Sequence, residues 1–175
     1  MIGITIVFTK KGIHGYYMAA EINDRPSIIL PPPLIFFALL GAGFLLDYLI
    51  PFKLLRLPRE ARLICCAVLA GISFYFALGS IIVLLRNKTP FDPSKPTVTI
   101  VCQGPFQFSR NPMYLALLLL LAGIAVFTGS LWMCLTVPAL WIVLNMTAVR
   151  PEEEYLERNF GERYLEYKAK IRRWL

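Results

Sequence analysis

Two short polar runs hold most of the residues in this chain that could do chemistry. Ser109-Arg110-Asn111-Pro112-Met113-Tyr114 stands before a pair of apolar stretches, and Arg150-Pro151-Glu152-Glu153-Glu154 stands after them. Arginines such as Arg110 and Arg150 can hold a carboxylate or a phosphate, and a glutamate can accept hydrogen bonds from hydroxyl or ammonium groups. Asn111 has both a donor and an acceptor but does not titrate near neutral pH. Phe106, Phe108 and Tyr114 would add aromatic walls. A few polar groups on an apolar floor suit a small-molecule site.

Other chemistries have little support. The single histidine, His14, is remote from Cys65, Cys66, Cys102 and Cys134, and no two cysteines have CxxC spacing. Neither a metal nor a nucleic acid is expected as a partner.

The elements that must position these residues are membrane helices. Of the 175 residues 57% are hydrophobic and 17% charged, and the mean hydropathy is +0.61. Apolar runs cover 31–50, 61–85, 112–128 and 131–149, each near the roughly 20 residues needed to cross a bilayer. An all-α integral membrane protein of four spans follows, because spanning segments must satisfy their own backbone hydrogen bonds. Only Thr128-Gly129-Ser130 separates the last two, so these form a helical hairpin. Its ends bring Arg110–Tyr114 and Asn145–Glu154 together by topology. Asn145, Val149 and Glu152, spaced by four and three, share a face if the fourth span continues as a helix past Pro151.

Lys and Arg number three before the first span, four between the second and third and seven after the fourth, against four between the first and second. Both termini are therefore expected in the cytoplasm. The apolar residues before Lys10 lack the charge order of a signal peptide, and a cleaved signal is not expected.

The chain divides into an N-terminal segment (1–30), two spans (31–85) and a C-terminal region (86–175). The first segment is expected at the surface or partly disordered. The first span carries Ala38, Gly41, Ala42 and Gly43 for close packing, with Asp47 near its far end. In the second, Ala70, Ser73, Ala77 and Ser80 line one face, either for helix packing or as a pocket wall. The stretch 86–111, with Pro90, Pro93, Pro96 and Pro105, is expected to be an ordered lid or pocket wall facing the cytoplasm. The tail predicts an amphipathic helix broken at Gly161, with a stripe of Leu156, Phe160, Tyr164, Tyr167 and Ile171.

The run G-P-F-x-x-S-R-N-P-M-Y, a hairpin, and then R-P-E-E-E-x-L-x-x-x-F-G-x-x-Y-x-x-Y resembles the intramembrane methyltransferases that include isoprenylcysteine carboxyl methyltransferases and phospholipid N-methyltransferases. The resemblance covers roughly residues 90–174. It implies S-adenosylmethionine as cofactor, held in region 86–175 between the hairpin and the loop before it, and a lipid or lipidated acceptor arriving from the bilayer. By position, Val98, Thr99, Ile100 and Val101 look like the family's backbone-contacting loop, and Phe106 falls where an aromatic packs on the cofactor. Asn111, Pro112, Met113 and Tyr114 match a histidine-proline-x-tyrosine segment. Glu152 matches an acidic cofactor ligand, and Glu153 completes the pair. Arg110 or Arg150 would orient the acceptor's carboxylate or phosphate. The chain departs from the family at Asn111, where many members have histidine. Gly71-Ile72-Ser73 matches a small glycine motif only in part. The rival readings are a nicotinamide-dependent sterol-type membrane reductase and a non-enzymatic membrane scaffold or transporter subunit.

Overall fold

A computed structural model describes residues 30–88 and 100–175. The expectations for the N-terminal segment, for Val98 and Thr99, and for most of the proline-rich stretch lie outside these residues. The described chain is helical: α1 is Pro32–Leu49, α2 Arg59–Arg86, α3 Pro112–Thr128, α4 Leu131–Leu144, α5 Arg150–Phe160 and α6 Glu162–Lys170. α1, α2 and the continuous Leu131–Phe160 are long and apolar enough to cross a membrane, and α3 is a shorter apolar helix. Seventeen residues make α3 about 25 Å long. The four expected apolar helices are therefore present, three of them long enough to span and one shorter.

Prolines start two of the helices. Pro32 begins α1 and Pro112 begins α3, where the first amides have no intrahelical partner to lose. α3 and α4 form the expected hairpin. The turn needs Gly129, whose φ is +63° and where a Cβ would lie 2.9 Å from the Leu55 carbonyl oxygen. That turn is clasped from outside by the α1–α2 loop. The Gly129 carbonyl accepts from the amides of Leu54 at 2.8 Å and Leu55 at 3.1 Å, and the Leu131 amide donates to Phe52 at 2.9 Å. Asp47 ends beside this clasp, paired with Lys53 at 2.9 Å.

The small residues resolve in favour of packing. Ser73 donates to the Ala116 carbonyl of α3 at 2.7 Å. Gly43 sits on Met133 and Thr136, and Gly123 faces Cys66 and Leu69. Leu121, Met133, Leu140, Leu144, Ala148 and Val149 are fully enclosed at the centre. The outer faces of α1 and α2 present Phe37, Leu45, Ile64 and Phe74 to the surroundings, as lipid-facing helices do.

α4 continues into α5 through a π-helical turn at Asn145–Val149. Proline has no amide to donate, and its ring crowds the carbonyl four residues back. A widened turn ahead of Pro151 relieves that conflict. Within it the Asn145 side chain donates to the Trp141 carbonyl at 2.9 Å and Thr147 to Val143 at 2.8 Å. The helix breaks at Gly161 as expected, and α6 folds against the turn before α3. There the Tyr167 hydroxyl donates to the Phe106 carbonyl at 2.7 Å. After α6 the backbone extends at Ile171, and residues 171–175 return to the mouth of the hairpin as a strap.

Candidate functional site at the mouth of the hairpin

The first turn of α3 and the first turn of α5 face one another. Tyr114, buried one turn inside the membrane helix, donates its hydroxyl to Glu152 Oε2 at 2.9 Å. Residues 38 apart in sequence thus share one hydrogen bond, because the hairpin returns the chain to its starting level.

Beside this pair lies a denser charge cluster. The Glu153 side chain is 7% exposed, and Arg173 grips it with both edges of its fork, Nε to Oε1 at 3.1 Å and Nη2 to Oε2 at 2.7 Å. Arg110 Nη2 reaches Glu153 Oε1 at 3.2 Å, and the Arg110 side chain is 8% exposed. A carboxylate between two guanidiniums meets the requirement that a buried charge be paired and hydrogen-bonded. The fit is not complete, since Arg110 Nε and Nη1 and the Trp174 indole nitrogen are buried without hydrogen-bond partners.

The strap is held by its backbone. The Arg110 amide donates to the Arg172 carbonyl at 3.0 Å, and Ser109 Oγ and Asn111 Nδ2 each donate to the Arg173 carbonyl at 3.1 Å. The Asn111 amide in turn donates to Ser109 Oγ at 3.1 Å. Three consecutive residues ahead of α3 therefore serve as a clamp.

Between the strap and α4 opens a groove of about 690 Å³, lined by Arg110, Arg150, Arg173, Trp174 and, on the bilayer side, Trp141, Ile142, Asn145 and Met146. Such a groove offers arginines at one end and an apolar wall at the other. Among the described residues, no group of three His, Cys, Asp or Glu side chains is placed to share a metal ion.

The predicted residues fall into place unequally. Tyr114, Glu152, Glu153 and Arg110 converge, and Arg150 is an exposed residue on the groove. Asn111 and Pro112 are buried in the clamp and the α3 start, with Met113 half-buried beside them. Ile100 is half-buried and Val101 buried on the approach to the Gly104–Gln107 turn. Phe106 is half-buried in that turn, fixed through its carbonyl, whereas Phe108 points outward and is no wall. Asn145 lines the groove but spends its amide on Trp141. Ser109, Arg173 and Trp174 carry no site role in the sequence reading. Arg173 reads there as one of several basic residues favouring a helix C-terminus, and only the unusual density of Arg172-Arg173-Trp174 hinted at more.

The model of the phospholipid methyltransferase family matches residues 61–163, from α2 through the hairpin to α6. The chain belongs to the phospholipid methyltransferase family. An uncharacterized protein of Haemophilus influenzae is 43% identical over 63 residues, which are 36% of this chain and the whole of that protein. No solved structure matches. Membership makes this a membrane protein of methyltransferase type, and it weighs against the reductase and scaffold readings. For this phospholipid methyltransferase family member, the matched segment includes Arg110, Tyr114, Glu152 and Glu153 and stops short of the strap.

Proposed function

We propose that the chain transfers a methyl group from S-adenosylmethionine to a lipid or lipidated acceptor bearing an anionic group, at the cytosolic mouth of the α3–α4 hairpin. The observation that carries this is the Tyr114–Glu152 hydrogen bond beside a groove lined by Arg110, two of whose nitrogens are buried and unpaired. The residues fit the cofactor: the unpaired Trp174 indole nitrogen suits a ligand rich in carboxylate and hydroxyl oxygens, and Glu152 suits its hydroxyls or ammonium. When bound, S-adenosylmethionine supplies a methyl group activated by a sulfonium.

The protein's own part is to bind, orient and exclude water. Tyr114 holds the Glu152 carboxylate in one orientation, so that its remaining lone pairs are preorganised for hydrogen-bond donors. Glu153 completes the acidic pair by fixing Arg110 at the rim. Val98, Thr99, Ile100 and Val101 supply backbone groups on the loop side, and Phe106 an aromatic face. Asn111, Pro112 and Met113 set the start of α3 and hence the position of Tyr114. Arg110 and Arg150 orient the acceptor's carboxylate or phosphate, while Trp141, Ile142 and Met146 lie along its apolar part. The count of Lys and Arg supports the cytosolic placement of this mouth and of both termini.

The test is titration calorimetry of the protein in detergent with S-adenosylmethionine, S-adenosylhomocysteine and NADPH. Binding of the first two and not the third is expected. No binding of either sulfur compound sinks the reading. Glu152→Ala should weaken cofactor affinity about tenfold or more, in line with loss of a charged hydrogen bond; unchanged affinity refutes the site assignment.

A further inference from the structure

Glu153 is shared between two arginines, and the sharing is unequal. Arg173 takes both carboxylate oxygens in a fork, whereas Arg110 reaches Oε1 through Nη2 alone. A guanidinium carries five N–H donors. Arg110 therefore keeps Nε and Nη1 unpaired although its side chain is almost wholly buried, and it lines the groove. Left alone with a buried glutamate, an arginine closes on it in the bidentate geometry, because an unpaired buried charge is costly and two parallel hydrogen bonds satisfy it best. Something must prevent Arg110 from doing so. The group that occupies the second oxygen belongs to the strap.

We propose that Arg173 is a positioning residue: by engaging Glu153 with its own fork it limits Arg110 to one contact and keeps the other donors of Arg110 free to turn to an oxyanion that enters from the groove. The inference rests on the reading of Arg110 as the residue that holds the acceptor's anionic group. The strap is built for this task. Its two carbonyls at 172 and 173 are pinned by Ser109, Arg110 and Asn111, the residues flanking and including the one it controls. The Arg173 side chain is 37% exposed, so its contribution to the site lies in the fork it makes rather than in being enclosed. With Arg173 gone, Glu153 would take Arg110 bidentately, and the groove would lose its buried donors as well as one positive charge. Lysine cannot substitute, since an ammonium is a point charge without a fork.

The test uses the full chain in detergent micelles, titrated calorimetrically with hexyl phosphate and, separately, with hexanoate; whichever binds more tightly identifies the oxyanion preferred. Arg173→Met should weaken that binding about tenfold, the size expected for loss of a charge-assisted hydrogen bond. Adding Glu153→Gln removes the captor of Arg110. The double variant should recover affinity by more than Glu153→Gln adds to the wild type, a positive coupling in the double-mutant cycle. Absence of coupling overturns the positioning role, leaving Arg173 as a direct ligand or a mere charge. Arg173→Lys should resemble Arg173→Met; wild-type affinity in that variant overturns the proposal equally, and it carries the same cycle if Arg173→Met does not fold. Arg110→Met separates the two readings. Unchanged binding there refutes the anion role of Arg110 itself, whereas lost binding without Arg173–Glu153 coupling refutes only the role given to the strap.

Discussion

Asn111 donates its side-chain amide to the backbone carbonyl of Arg173, 3.1 Å away and 62 residues later. The residue at the point where many family members have histidine is here a structural clamp. It has no titratable group with which to move a proton.

Substitutions at this position should separate clamping from ionisation. Asn111→Ala should lower stability by about 1 kcal/mol, the usual net worth of such a bond. Asn111→Asp should be worse, because a carboxylate presents an acceptor to an acceptor. Thermal denaturation gives the order. The pH profile of methyl transfer should keep its shape in Asn111→Ala, and a lost inflection near neutrality would contradict the clamp.

Tyr114→Phe removes the only hydroxyl seen on Glu152 among the described residues. A buried carboxylate deprived of a donor costs about 1–3 kcal/mol, so both the melting temperature and cofactor affinity should fall. Combined with Glu152→Ala, the loss in affinity should be less than additive, since both changes break one unit.

Two glycines of α2 make a matched pair. A Cβ on Gly79 would lie 2.8 Å from Pro105 Cγ, whereas one on Gly71 would meet nothing within 4 Å. Gly79→Ala should cost about 1–3 kcal/mol by forcing the Gly104–Gln107 turn off the helix. Gly71→Ala should be neutral or stabilising by about 0.5–1 kcal/mol through helix propensity. Denaturation in the same detergent compares them. Equal effects would show that the turn does not bear on α2.

Tyr167 predicts an alkaline weakness. Burial raises its hydroxyl above the ordinary tyrosine value, so in the folded chain it stays protonated and donates to Phe106. The unfolded chain ionises first, near pH 10, so this stabilisation is present below that pH and is lost as pH rises through the folded value. Tyr167→Phe should be less stable than the wild type at neutral pH, by about 1 kcal/mol. The difference should shrink above pH 10. A constant difference up to pH 11 would refute it.

Much of this was readable in the sequence, for physical reasons that differ by element. The spans are legible because apolar length alone sets them, and the hairpin because three residues cannot make a long loop. The meeting of Tyr114 with Glu152 follows from that hairpin. The break at Gly161 shows as a glycine in an otherwise helical pattern. Other features leave no such trace. The strap is five residues without periodicity, and Arg173 looks like any basic residue at a helix end. The stripe of Ser73 and Ser80 does not itself say whether a helix or a ligand approaches, and the Ser73–Ala116 bond decides for the helix. The spacing of Asn145, Val149 and Glu152 assumes a regular α-helix through Pro151. The π turn at Asn145–Val149 breaks that arithmetic, and Asn145 turns back to its own helix.

That turn also sets the aim of the chemistry. Along the last membrane helix the enclosed residues Leu140, Leu144, Ala148, Val149 and Glu153 pass through the π turn at Asn145–Val149, which holds one residue more than a regular helix would. One surplus residue delays the rotation by about 100°, so the acidic half is keyed to the apolar half at an offset. Delete any one residue between 145 and 149, and every glutamate and arginine survives while the acidic pair swings off the mouth. In this chain the count of residues between oil and acid matters as much as their kind.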